Sequence, residues 1–420
     1  MKHHVINVAA AVLLFSGAAA AHDLSVAVSN DRGGVWLAPE MPSFSVAIAD
    51  TLGAANSNSV LTVKVTDDKG LRTYLDKDFT PAIPAGRTMR LDLDTDIIHP
   101  GFYRLNISDD GNQIYSRVFG YEPENIVSLP DSRPDFDAFW QKAVAEAHSL
   151  GLDGVTISEV PGTEGHLRRQ YLVSIPTTDS DTIDAYLLMP VAPGKYPVKI
   201  TFNGYGGRPW QLDLDANPEL IEFITSTRGQ FLSEHRNRYG DWIRSGLQSP
   251  DTFYYRGAYQ DVIRAIDYVA SLPEVDLDRI YAEGGSQGGA LTFIAAALDY
   301  RIAAIAPYIP FMSDFPDYLD MANWPVAGMI QEGDRLGMTR QQTLETVSYF
   351  DLKNFARRIQ CPVLMGVGLQ DFVCPPHINF APYNLLPGNV VKEYVIYEDE
   401  QHAVGRPDWD NRVKAFFNLP

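Results

Sequence analysis

Two domains of different class are predicted: a small all-β sandwich of immunoglobulin type, then an α/β domain with a mostly parallel sheet covered by helices on both faces. Three observations carry this. Residues 24–121 hold only short runs that alternate apolar and polar residues with period two, broken by turn clusters and without a helical window. Beyond residue 134, apolar strands alternate with helical segments, the pattern of a sheet buried on both sides. The chain has 420 residues, 45 % of them hydrophobic, enough to furnish two cores rather than one.

The elements follow in order. Residues 1–21 join a Lys2/His3/His4 head to an apolar run from Val5 to Phe15 and small residues at Ala19 and Ala21, which reads as an export signal cut near Ala21. The run is too short to span a bilayer, and no cysteine stands at the cleavage site to take a lipid anchor. An exported product, periplasmic or extracellular, is expected. From 22 to 124 the strands are "SFSVAI", "SVLTVKVTDDKG", "MRLDLD" and "YRLNISDDGNQIYSRVFGY", with "DDKG" and "DDGN" as hairpin turns. Residues 125–133, "NIVSLPDSR", form the linker. The second domain, 134–420, opens with the helix "DFDAFWQKAVAEAHSLG", which has an Asp near its start and a Gly at its end. Then come the strand and loop "PVKITFNGYGG", the amphipathic helix "YQDVIRAIDYVASLP", the strand "RIYAEGG" and the Ala-rich helix "QGGALTFIAAALD". Three more strands, "IAAIAPYIP", "CPVLMGVGLQD" and "VKEYVIYEDEQH", precede a closing helix in "WDNRVKAFFNLP".

Loss of Lys2 with the signal takes the formal charge from −19 to −20. So acidic a surface repels nucleic acid and anionic membrane, and it accommodates a neutral substrate more readily than a polyanion. The two cysteines, Cys361 and Cys374, flank the strand "PVLMGVG". Six or seven extended residues at roughly 3.3 Å each hold them apart. A disulfide tolerates only about 7 Å between Cα atoms, so two free thiols are expected.

The stretch "AEGGSQGGAL" places Ser286 between a strand and a buried helix, within Gly284-x-Ser286-x-Gly288 and followed by Gly289. A sharp strand-to-helix turn of this kind holds the serine in a strained conformation with its hydroxyl projecting. A serine is a poor nucleophile at neutral pH unless a base and an orienting carboxylate attend it. Downstream lie only His377 and His402. His402 follows the last strand, where the base belongs, and His377 in "DFVCPPH" is the weaker candidate. Asp371 directly follows the penultimate strand and is the candidate acid; Glu398, Asp399 and Glu400 share the loop of His402 and are poorly placed to reach around its ring. An aspartate there also serves as a turn former or helix cap. The oxyanion donors expected are the backbone N–H groups of Gln287 and of Tyr205 in the glycine-rich "TFNGYGG", a stretch that also fits a plain turn.

Together these residues resemble the acetyl xylan esterase/cephalosporin C deacetylase family, carbohydrate esterase family seven of the α/β-hydrolase superfamily. The resemblance rests on "RGQ" at Arg228, Gly229 and Gln230, on "GGSQGG" from Gly284 to Gly289, and on "FYYRGAYQDVIRAIDYVASLPEVDLDRI" between them. "DFDAFW" and "QDFVCPP" look like the family's domain opening and acid loop, so the similarity covers about residues 128–420. It implies an α/β-hydrolase fold and a Ser286-His402-Asp371 triad that removes acetyl groups from plant cell-wall oligosaccharides through an acetyl-enzyme. One element departs: Ala403 stands where the family usually has glutamate. The N-terminal β region is also outside the family's common pattern. Members known as hexameric rings lack it, so their assembly does not carry over and the oligomeric state stays open.

Arg228 suits either a substrate carboxylate or, better, the fixing of loops behind the nucleophile. Trp210 could stack on a sugar, though tryptophan there more often packs. No metal or organic cofactor is expected: no H-E-x-x-H, paired cysteines or phosphate loop is present. Two rivals remain. A serine peptidase of prolyl oligopeptidase type shares the triad order, but about 100 residues are too few for its propeller. A catalytically inert carbohydrate-binding protein would fit the β module and Ala403.

Overall fold

The computed structural model describes residues 24–30, 32–50, 60–80 and 88–419; the expected export signal lies outside them. Contacts gather the described chain into two units. The first runs up to Val127 and includes two short later segments, Gly368–Asp371 and Ile396–Gln401; the second holds the remainder.

In the first unit, two sheets enclose a core. One contains β1 (Leu24–Ser29), β3 (Ser43–Asp50) and β6 (Thr88–Asp94) in the order β1-β3-β6. The other contains β2 (Val35–Trp36), β4 (Leu61–Asp67), β5 (Thr73–Phe79), β7 (Gly101–Asp109) and β8 (Asn112–Tyr121) in the order β2-β8-β7-β4-β5. The period-two alternation explains the burial. Phe44, Val46 and Ile48 point inward from β3, Leu61, Val63 and Val65 from β4, and Leu105 and Ile107 from β7. Trp36, Phe44 and Phe119 meet edge to face, the arrangement that ring quadrupoles favour. The β7–β8 hairpin turns through Asp110 and Gly111, both at positive φ, which matches the twist of the strands they join.

The large sheet has nine strands in the order β17-β16-β15-β14-β12-β13-β11-β10-β9. These are β9 (Thr156–Glu159), β10 (Arg168–Thr177), β11 (Asp181–Pro190), β12 (Tyr196–Phe202), β13 (Ile221–Thr225), β14 (Val275–Gly285), β15 (Ala304–Tyr308), β16 (Val363–Gly368) and β17 (Lys392–Tyr397). Strands β12 to β16 pair in parallel, whereas β9, β10 and β11 add an antiparallel edge. The sheet is therefore mixed, with its parallel part in the centre. Helices α1 (Phe136–Ser149), α2 (Tyr254–Ser271) and α3 (Gln287–Leu298) come from the first three of the four helical patterns. Four helices that the pattern does not announce, α4 (Phe315–Met321), α5 (Val326–Arg335), α6 (Arg340–Val347) and α7 (Leu352–Phe355), fill the span between β15 and β16. The helices α8 (Pro376–Asn384) and α9 (Asp408–Phe416) follow β16 and β17, and α9 is the closing helix that the fourth pattern predicts.

Strand β12 has β13 on one side and β14 on the other, so the winding reverses there. At such a switch point the loops leaving neighbouring parallel strands diverge and open a crevice at their carboxyl ends. Phe202 is in register with Gly284 across the β12–β14 pair. The loops that follow them therefore start side by side.

Candidate active site

Ser286 lies between the end of β14 and the first residue of α3, with φ +57° and ψ −119°. That region is sparsely populated by residues with a side chain, and the turn is held from several sides. The Ser286 N–H donates to the Tyr308 carbonyl at 3.1 Å, and the Ser286 carbonyl accepts from Ala290 at 3.0 Å and Phe311 at 3.1 Å. Glycine is required around it. A Cβ on Gly284 would fall 2.5 Å from the Gly288 carbonyl oxygen, and one on Gly288 would fall 2.3 Å from that of Phe202. One on Gly289 would fall 2.8 Å from the Tyr308 carbonyl oxygen. The twelve-residue helix α3 begins at Gln287, whose backbone N–H has no partner within the helix and carries the positive end of its dipole.

The loop after β12 faces this turn. The Gly207 N–H closes on the Gly204 carbonyl at 3.0 Å, a tight bend with Tyr205 at its tip. The Tyr205 ring packs against Trp242 and Trp324 at 5.1 and 5.6 Å, and its hydroxyl donates to Asp241 at 3.0 Å. Gln230 ties loop to turn. Its Oε1 accepts from the Gly206 N–H at 3.2 Å, and its amide exchanges two 3.1 Å hydrogen bonds with the amide of Gln287. Tyr255 donates to Gln287 Oε1 at 3.0 Å, and Gln230 Nε2 donates to the Tyr254 hydroxyl at 3.0 Å. Burial holds both phenols well above their ordinary pKa, so they stay protonated. Gln230 and Gln287 are each 0 % exposed, and the reciprocal pair satisfies both amides away from water.

Arg228, 1 % exposed, is committed to the same scaffold. Its guanidinium grips Asp261 of α2 through Nε at 3.0 Å and Nη2 at 2.8 Å, and also reaches Asp179 and Thr178 at 2.9 Å each. Burial works against its charge, but Asp261 outweighs that and holds the arginine pKa above its ordinary value. Gly229 has φ +67° and turns the chain between Arg228 and Gln230. Arg228 thus anchors the backbone from which Gln230 projects. Trp210 is 52 % exposed, its ring 5.6 Å from Phe231.

Asp371 follows β16 and is buried, its N–H donating to the Gly368 carbonyl at 3.2 Å. His402 follows β17 and is half-buried. One side-chain atom each of Asp371, Cys374 and His402 lie within 4.8 Å of one another. The chain just past His402 lies against the ends of the central strands. A Cβ on Gly366 would fall 2.8 Å from Val404 and 2.9 Å from both Trp409 and Tyr308, and Arg406 stacks over Tyr308 at 5.6 Å. Tyr308 is the residue whose carbonyl receives the Ser286 N–H. His377 instead sits on α8 beside Asp314 and Asp317, at 3.6 and 3.3 Å.

Among the described residues, two further groups of acidic and imidazole side chains come close: His148 with Asp267 and Asp299, and His377 with Asp314 and Asp317. Arg301 binds Asp267 at 2.7 Å and also pairs with Asp299, while Lys353 binds Asp314 at 3.0 Å. Protein cations already neutralise carboxylates in both groups. Both cysteines are free thiols; Cys374 is buried, and its place beside Asp371 and His402 has no signature in the sequence. Asp261, Tyr254 and Tyr255 are likewise unannounced, except that they lie in the stretch between "RGQ" and "GGSQGG".

The family described as acetyl xylan esterase (AXE1) matches residues 121–418. The acetyl esterase Axe7A of Xylanibacter ruminicola is 32 % identical over 349 residues, 77 % of each chain. Among solved structures, an acetyl xylan esterase from Paenibacillus sp. R4 superposes with a TM-score of 0.65 at 30 % identity, covering 71 % of this chain and 98 % of that one. Acetyl xylan esterase 1 from Thermoanaerobacterium sp. JW/SL YS485 does so with a TM-score of 0.64 at 27 % identity and the same coverage.

Proposed function

Because the chain belongs to the acetyl xylan esterase family, we propose that it is an exported serine esterase that removes acetyl groups from plant cell-wall oligosaccharides such as acetylated xylo-oligosaccharides. It is a carboxylic ester hydrolase of the α/β-hydrolase fold. In the proposed cycle His402 takes the proton of Ser286, whose Oγ attacks the ester carbonyl. The N–H groups of Tyr205 and Gln287 receive the developing oxyanion. The sugar alcohol leaves with the proton that His402 returns, and water then clears the acetyl-serine by the same route. Asp371 keeps the imidazole in the useful tautomer. No metal or organic cofactor enters this cycle. A leader cut near Ala21 would export the acidic product, away from nucleic acid.

The observation that carries the reading is the Gln230–Gln287 pair, which couples the residue after Ser286 to the loop bearing Tyr205. The proximity of Asp371 and His402 supports the other half of the relay. The experiment is acetate release from acetylated xylo-oligosaccharides, with a chromogenic dipeptide amide alongside. Ser286→Ala should lower kcat by about 10⁴-fold or more. Activity within a few fold of the unmodified enzyme, or preferential cleavage of the amide, would remove the assignment.

A further inference from the structure

We propose that the N-terminal β module is a positioning part of the esterase site, holding through Gln370, Arg117 and Asn30 the two loops that carry Asp371 and lead into His402. This rests on the triad reading above and adds a role for residues outside it. Both loops, Gly368–Asp371 and Ile396–Gln401, belong by their contacts to the unit built on the β sandwich.

The hold is made residue by residue. Gln370 immediately precedes Asp371. Its side-chain Oε1 accepts the Val118 N–H at 2.8 Å, and its Nε2 donates to the Val118 carbonyl at 3.0 Å and the Glu398 carbonyl at 2.9 Å. The amide thus pairs with β8 through two bonds, as a neighbouring strand would, and reaches the second loop as well. Its own N–H donates to the Glu400 carbonyl at 2.9 Å. Arg117, next on β8, donates to the Glu398 carbonyl at 3.3 Å and pairs with the Asp399 carboxylate. Asn30, between β1 and β2, donates to Glu398 Oε1 at 3.0 Å while its own Oδ1 accepts the Arg32 and Gly34 N–H groups at 2.9 and 3.0 Å. At Gly34, with φ +77°, a Cβ would fall 2.6 Å from Leu369 and 3.3 Å from Glu398, so only glycine permits the approach.

A mere spacer has no need of a half-buried amide bonded to β8 from the residue before the acid, nor of an arginine reaching the loop before the histidine. One peptide separates Gln370 from Asp371, and two residues separate Asp399 from His402. Slack at the module therefore passes directly into the carboxylate–imidazole alignment, where a misplacement of about 1 Å can cost about 100-fold in rate. These are positioning residues; none is placed against the reacting atoms.

The test uses the full mature chain, with p-nitrophenyl acetate as probe. Gln370→Ala and Arg117→Ala should lower kcat by about 10–100-fold with little change in KM. Arg117→Lys should recover part of the loss. Lys77→Ala, exposed on the opposite edge strand β5, should match the unmodified enzyme. Unchanged kcat in both alanine variants overturns the proposal. So does a loss of activity that only follows the folded fraction seen by circular dichroism. An unmodified enzyme that releases no acetate would strike instead at the esterase reading itself.

Discussion

Gln287 follows Ser286 and, in the proposed cycle, offers its backbone N–H to the oxyanion; its side chain is tied to the scaffold through Gln230. Replacing Gln230 by alanine removes the Gly206 N–H's partner and leaves the Gln287 amide with only the Tyr255 hydroxyl and a 3.4 Å contact to the Asn203 carbonyl. Leaving a buried polar group unsatisfied costs about 1–3 kcal/mol. Gln230→Ala should therefore lower stability by about that amount in urea unfolding, and lower kcat for acetate release more than it raises KM. The sequence hints at this pair only as two separated motifs, "RGQ" and the glutamine after Ser286. It gives no sign that the two amides bond each other, because the contact spans 57 residues and depends on how α2 returns the chain. The burial of Arg228 is legible only in part for the same reason: its main partner, Asp261, is one of several polar residues on a helix whose buried face extends well around it.

At the scale of elements, α2 does more than cover the sheet. It presents Tyr254 and Tyr255 to the glutamine pair and Asp261 to Arg228, all from one buried face. Asp261→Ala would leave the buried arginine charge with the largely exposed Asp179 as its remaining carboxylate partner. Breaking a buried pair from one side costs about 3–5 kcal/mol. The denaturation midpoint should fall accordingly, with the slope unchanged. Helices α1, α2, α3 and α9 and the central parallel strands could be read from the sequence because each has a clear helical period or is uniformly apolar. The antiparallel edge was less legible. Strands β10 and β11 are joined through residues 178–180, where Asp179 and Ser180 adopt positive φ, and no intervening helix marks them as an α/β repeat. Between β15 and β16 the helices are short, and Pro316 and Pro325 interrupt the periodicity. One start signal was available: Thr339 and Gln342 form a reciprocal capping box at the head of α6.

At the scale of the whole molecule, two classes of architecture were plain in the sequence because their periods differ, two residues against helical repeats. The mixed character of the large sheet was not, since orientation depends on pairing rather than on pattern. Overall stability is shaped by a single backbone angle as well. Ser286 keeps φ at +57°, where any side chain costs about 1–3 kcal/mol, while glycine gives back only about 0.5–1 kcal/mol in chain entropy. Ser286→Gly should thus unfold at higher urea than the parent while losing all turnover, a gain of about 1 kcal/mol. On the proposed reading the enzyme is an unrelaxed version of its own inert twin, and the difference between their melting curves measures what the chain gives up in endurance to hold that one serine at its turn.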